Sequence, residues 1–178
     1  MLRILRLLRQ GENRVKTLLL LRHAKSSHAD EGLKDFDRPL KQRGIEDAGL
    51  IGDFIRKRKI EPDLVVVSPA ERTRQTADIT LKSARMKVEL TFDQRIYEAS
   101  SHVLLSVLRQ INDTSNTVML IGHNPGLEEL LEALTGEALT LPTAALACIE
   151  LEIENWSKAR AGSGHLKFRM TPKELKAQ

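Results

Sequence analysis

Apolar residues in this chain fall into short unbroken runs, separated by longer stretches in which they recur every third or fourth position. Residues 17–21 (Thr-Leu-Leu-Leu-Leu), 64–67 (Leu-Val-Val-Val) and 117–121 (Thr-Val-Met-Leu-Ile) show no polar alternation. That is the pattern of strands covered on both faces. Residues 40–59 carry Ile45, Ala48, Ile51, Phe54 and Ile55 as a helical stripe ending in a basic run. Residues 69–83, 101–110 and 126–134 read as further helices. Residues 88–90 form a short strand, 144–153 alternate into another, and 165–170 supply a final edge strand. The stretch 23–38 is too rich in Asp, Ser and Lys for a core and reads as a surface loop. Strands alternating with helices predict an α/β fold, a three-layer sandwich whose central sheet is mostly parallel with helices on both faces. Ligands of such sheets bind at the carboxyl ends of the strands, near the switch point.

Residues 1–16 stand outside this alternation. Arg3, Arg6 and Arg9 share one helical stripe with leucines opposite, which would suit a membrane surface or a partner. The reading favoured is a mobile extension with no part in the fold. It is not a signal peptide, because the arginines interrupt any apolar core. The rest of the 178 residues suits a single domain.

Composition narrows the function classes. Charged residues make up 29% and aromatics 3%, with one Trp and one Tyr; a base-stacking surface needs more rings than that. The net charge of +4 agrees with an anionic ligand, but the basic residues are spread along the chain, so nucleic acid is not an expected partner. Cys148 is the sole cysteine and sits in an apolar run, where an inert core thiol is expected rather than a nucleophile. No apolar run is long enough to span a bilayer. The expectation is a cytoplasmic protein without stable membrane association.

All three uninterrupted strands end in phosphate-friendly sequence: Arg22-His23-Ala24-Lys25, Ser68-Pro69-Ala70-Glu71-Arg72 and Gly122-His123-Asn124-Pro125-Gly126. Part of this is explained by helix starts. Ser68, Pro69 and Glu71 have the order of a capping box, and Asn124-Pro125 repeats the N-cap and N1 logic. Capping does not explain Arg72, a cation in a first turn where the dipole favours anions. Nor does it explain two histidines just past two strand ends. Together, Arg22, Arg72 and helix N-termini make a pocket for a tetrahedral dianion. The same cations disfavour protonation of a nearby imidazole and crowd out a divalent metal. A neutral histidine is what a nitrogen nucleophile requires. The constellation suggests covalent phosphoryl transfer through histidine, with no metal and no cofactor.

The ordered set Arg22-His23-Ala24, Ser68-Pro-Ala-Glu-Arg72-Thr-Arg-Gln-Thr76-Ala and Gly122-His123 resembles the histidine phosphatase superfamily of phosphoglycerate mutases and acid phosphatases. Arg22-His-Ala-Lys-Ser26, Asp37-Arg-Pro-Leu40 with Arg43-Gly44, and Thr171-Pro172 near a short C-terminus resemble its SixA-type phosphohistidine phosphatase branch. The resemblance spans residues 17–172 and makes 17–178 the phosphatase domain, with a phosphoglycerate mutase-like sheet. Ala24 departs from the glycine of many members.

The resemblance implies that His23 is the catalytic nucleophile, and that Arg22, Arg72 and His123 hold the phosphoryl oxygens. Glu98, in Arg95-Ile-Tyr-Glu98, is the implied proton donor, with Asp93 as the alternative. Arg38 either reaches the substrate or pairs with Asp35 or Asp37. Lys25 and Ser26 either touch phosphate or face solvent, and His28, His102 and His165 take no part. The implied activity is a metal-independent phosphatase working through phosphohistidine on His23, with a phosphorylated protein carrying phosphohistidine as partner. The alternatives are a small phosphate ester as substrate, or a phosphate-binding module without turnover. No long insertion between the motifs could act as a lid over a small substrate, which fits a shallow site, and a mutase is disfavoured by the compact length.

Overall fold

A computed structural model describes residues 15–27 and 32–177. Most of the extension read at residues 1–16, and His28, lie outside the described residues. The chain forms β1 (Lys16–Arg22), a 3-10 turn (Asp35–Asp37), α1 (Gln42–Lys57), β2 (Leu64–Val67), α2 (Glu71–Ala84) and β3 (Glu89–Phe92). A 3-10 turn (Gln94–Ile96), α3 (Ser101–Leu108), β4 (Thr117–Gly122) and α4 (Gly126–Thr135) come next. The chain continues with β5 (Leu146–Leu151), a 3-10 turn (Trp156–Lys158), β6 (Gly164–Met170) and α5 (Pro172–Lys176).

The six strands form one sheet in the order β3-β2-β4-β1-β5-β6. β3, β2, β4 and β1 run parallel; β5 alone is reversed, pairing antiparallel with β1 and β6. The mostly parallel α/β sandwich expected from the alternation is therefore the fold. The leucines of β1 explain the layering. Leu18 and Leu20 join a core with α3, α4 and the buried Trp156, while Leu19 and Leu21 join one with α1 and α2. All four are fully buried. Each contributes roughly 1.5–3 kcal/mol of transfer free energy, so β1 has no polar face to spare.

Register then sets the site. Leu21 lies beside Ile121 and Arg22 beside Gly122, while Val67 also lies beside Ile121. The backbone continues the ladder one step further: His23 N–H donates to Gly122 O at 3.1 Å and Ser68 N–H to Ile121 O at 3.0 Å. Three motifs far apart in sequence thus finish at one edge, at one level.

Several local expectations change. Ile45 is 41% exposed; the buried face of α1 uses Gly44, Asp47, Ala48, Ile51, Gly52 and Ile55 instead. Ser68 does not cap α2. The N-cap is Ala70, without a side-chain bond, because the Ser68 hydroxyl is engaged by a histidine. Asn124 does not cap α4 either, since Pro125 occupies that position and Asn124 Nδ2 donates to Leu141 O. β5 is shorter than the apolar alternation suggests, because Ala144 adopts φ +60° and its N–H turns to His23 O. α5 is an additional element, started by a reciprocal capping box between Thr171 and Glu174 with Pro172 at N1. β1 begins at Lys16, one residue earlier than the boundary at 17. Its ammonium is buried and donates to Asp113 O, Ser115 O and Asn116 Oδ1 at 2.8–3.1 Å. Cys148 lies buried in β5, and burial pushes its thiol up to about 11, consistent with an inert core residue.

Candidate active site

His23 follows β1, and its ring is fixed by its own chain. Nδ1 lies 2.8 Å from Ala24 O. A carbonyl only accepts, so Nδ1 carries the proton and Nε2 keeps its lone pair. The turn is tied on three sides. Ala24 N–H donates to Thr76 Oγ1 at 3.0 Å, and Thr76 Oγ1 donates to Arg72 O at 2.6 Å. Ala144 N–H holds His23 O. On the third side, a Cβ at Gly44 would lie 2.2 Å from Lys25 O, so only glycine lets α1 approach this closely.

The second imidazole, His123, is buried beyond β4. Its ring centroid lies 5.2 Å from that of His23. Nε2 shares a hydrogen bond of 2.8 Å with Ser68 Oγ, and Nδ1 is buried with no partner. Burial, helped by Arg72, Arg22 and Arg38, pushes His23 down to about 4, against the contrary pull of the Ala24 carbonyl. Burial also brings His123 down to about 3, with His23 and the arginines adding to it. With both values well below 7, neither ring carries charge at neutral pH.

The Arg22, Arg72 and Arg38 guanidiniums all lie near enough to His23 for their charges to act on it. Arg22 Nη1 donates to Leu141 O at 2.9 Å while its Nε is buried and unpartnered. Arg72, in the first turn of α2, is buried, with Nη1 on Asp35 O at 2.6 Å and Nη2 on Asp35 Oδ2 at 2.9 Å. Arg38 pairs with Asp35 and donates to Ser27 O at 3.2 Å. The Tyr97 ring packs edge-on against His123 and lies below the Arg72 guanidinium, and its hydroxyl donates to Asp35 Oδ2 at 2.8 Å.

The two candidate acids differ. Asp93 accepts from the backbone and the guanidinium of Arg95, which hold its carboxyl below the usual range. Glu98 is exposed, adopts φ +51°, and lies close enough for its charge to help raise the Tyr97 hydroxyl, after burial and Asp35. Ser26 is buried in a bridge with Leu40, and Lys25 is exposed. His165 is exposed beside Glu152, and His102 is exposed on α3. Among the described residues no three His, Cys, Asp or Glu side chains converge as a metal-ligand set. Nor is any helix there long and apolar enough to cross a membrane.

Residues 18–104 match the model of the histidine phosphatase superfamily, branch 1. The solved SixA protein of Agrobacterium tumefaciens is 32% identical, superposes with a TM-score of 0.77, and is covered over 98% of its length by 88% of this chain. The chain belongs to the histidine phosphatase superfamily. Within it, the similarity is to the SixA branch. The phosphohistidine phosphatase SixA of Escherichia coli is 28% identical over 167 residues, 89% of this chain and 96% of that protein. The protein histidine phosphatase SixA solved with tungstate has the same fold, with a TM-score of 0.77 at 23% identity, over 89% of this chain and 99% of that one.

Three residues of this histidine phosphatase's site escape sequence reasoning, and a fourth is read only in part. Ser68 reads as a cap, and Thr76 as part of a helix; only the fold brings their hydroxyls to the two histidine turns. Tyr97 carries no spacing signal, and Asp35, read from sequence only as a possible partner of Arg38, pairs with Arg38 and meets Arg72 as well.

Proposed function

We propose that this phosphatase removes phosphoryl groups from phosphohistidine on a protein by way of its own His23. The observation that carries the reading is the tautomer. With Nδ1–H given to Ala24 O, Nε2 is the free lone pair, on a ring held neutral by burial and three guanidiniums. Nε2 attacks phosphorus, the bond from phosphorus to the substrate imidazole breaks, and the departing nitrogen takes a proton. Water then attacks the phosphorus on His23. The P–Nε2 bond breaks, and inorganic phosphate leaves.

Arg22, Arg72 and Arg38 balance the three phosphoryl oxygens. In this scheme the Ser68 hydroxyl donates to Nε2 of His123, and Nδ1–H, the buried atom without a partner, is the neutral donor to the same group. Each such donor supplies roughly 3–4 kcal/mol of transition-state stabilisation. Glu98 is the proton donor of this scheme, since Asp93 is committed to Arg95. An imidazole leaving group needs that proton less than an alkoxide does. The lone buried thiol accords with a cytosolic setting.

The test is intact-mass measurement after brief exposure to acetyl phosphate or to a protein phosphorylated on histidine. A transient phosphoryl adduct with phosphate release, absent in His23→Ala, is the expected result. Turnover of acetyl phosphate without turnover of the phosphoprotein would move the substrate to small phosphate compounds. Neither adduct nor release from any donor would leave a binding module.

A further inference from the structure

A carboxylate of the protein itself occupies the guanidinium edge that a phosphoryl group would use. Asp35 Oδ2 receives Arg72 Nη2 at 2.9 Å and the Tyr97 hydroxyl at 2.8 Å, and Arg38 pairs with the other oxygen. The main-chain oxygen of Asp35 separately accepts Arg72 Nη1 at 2.6 Å. Arg72 Nε, beside Nη2 on the same edge, is buried with no partner. Nε and Nη2 are the pair of parallel N–H groups that bind two oxyanion oxygens side-on. One of them is filled by Asp35 and the other waits.

The two residues are unequally anchored. The Arg72 side chain is 5% exposed, whereas that of Asp35 is 44% exposed and sits on a 3-10 turn with no buried residue. Rotating the Asp35 side chain outward frees Nη2 while Nη1 stays on the main-chain oxygen, so the guanidinium keeps its orientation.

We propose that Asp35 is an internal competitor of the phosphoryl group: its carboxylate holds Arg72, Arg38 and Tyr97 in the empty site and yields Arg72 Nη2 to the incoming oxyanion. The inference rests on the reading of Arg72 as a phosphate ligand. Its consequence is weak retention of product. Three guanidiniums around two neutral imidazoles would otherwise hold inorganic phosphate tightly and slow turnover. Asp35 acts through Arg72 as a positioning residue that sets affinity.

The experiment is titration of the full chain with inorganic phosphate, by calorimetry and by product inhibition, for wild type, Asp35→Asn and Arg72→Ala. Asparagine keeps the shape and the main-chain bond and removes the charge. Phosphate should bind Asp35→Asn at least about tenfold more tightly, equivalent to about 1.4 kcal/mol. The product inhibition constant should fall in parallel, with KM falling and kcat not rising. Tyr97→Phe loosens the same carboxylate by one hydrogen bond and should tighten phosphate by about two- to fivefold, which keeps the test independent of how Asp35→Asn folds. Equal or weaker phosphate binding in both variants would show that the carboxylate only braces Arg72, and would overturn the proposal. If wild type binds phosphate and Arg72→Ala does not, that failure belongs to Asp35 alone. Phosphate binding indifferent to Arg72→Ala would instead refute the site assignment on which the proposal stands.

Discussion

Thr76 and Thr80 lie one helical turn apart on α2, both fully buried, and only the first touches the turn that carries His23. Thr76 Oγ1 accepts from Ala24 N–H, whereas Thr80 Oγ1 donates to Ala48 O at 3.3 Å. Replacing each with valine keeps the volume and branching and removes one hydroxyl. In Thr76→Val the Ala24 N–H becomes a buried donor without a partner, at a cost of about 1–3 kcal/mol. At roughly 2–4 °C per kcal/mol for a domain of this size, the melting temperature should fall by about 2–12 °C. Thr80→Val loses a longer bond and should cost about 1 kcal/mol or less. Catalysis separates the pair. The peptide between His23 and Ala24 is the one that Thr76 holds, so its release lets the imidazole drift, and a displacement approaching 1 Å costs up to about a hundredfold. We expect kcat/KM to drop about ten- to hundredfold in Thr76→Val and to stay within about twofold in Thr80→Val. Urea melts and initial rates on one phospho-donor measure both. A Thr76→Val protein that loses stability yet keeps full kcat/KM would refute the idea that this hydroxyl positions the nucleophile.

Further outcomes follow from the same geometry. Because His23 and His123 are pushed down to about 4 and 3 from 6.5, kcat/KM corrected for substrate ionisation should hold its plateau to about pH 5; an inflection near 6.5 would count against neutral, buried rings. The unfolded chain binds the extra protons first, so the stability due to these rings is whole above pH 6.5 and declines as pH falls towards 4, which urea melts at pH 7 and 5 would register. Gly44→Ala places a methyl 2.2 Å from Lys25 O and should cost more than about 2 kcal/mol together with activity, despite alanine's better helix propensity; a stabilised, active variant would show that α1 can shift. Lys16→Met removes three buried hydrogen bonds far from the site and should cost about 2–4 kcal/mol while sparing kcat/KM in the folded fraction. Glu98→Gln should slow hydrolysis of an alkyl phosphate by about a hundredfold or more but phosphohistidine far less, and equal losses on both substrates would remove Glu98 as the acid.

The elements and the cluster of cations and histidines were legible in one dimension because each rests on local physics. A strand covered on both faces must be apolar without alternation, and β1, β2 and β4 were found for that reason. Charged residues right after such runs have nowhere to sit except the sheet edge, which is why Arg22, His23, Arg72 and His123 stood out. Where helices meet, the same logic misled. Ile45 looked like core because periodicity cannot say which side of an amphipathic stripe the neighbouring helix covers, and Gly44 and Gly52 took the contact with the chain instead. Ser68 looked like a cap because cap and histidine partner demand the same short hydroxyl.

By itself the sequence determined the alternation of layers, the parallel strands and the residue types that chemistry at phosphorus requires. The tertiary structure alone decided which hydroxyl serves which imidazole, and which carboxylate faces Arg72. It also decided which tautomer His23 adopts. The hydroxyl and carboxylate pairings are contacts between segments tens of residues apart, and the tautomer, though set by the next carbonyl, depends on a turn shaped by sheet register and by how closely α1 and α2 approach the strand ends. No local propensity encodes them.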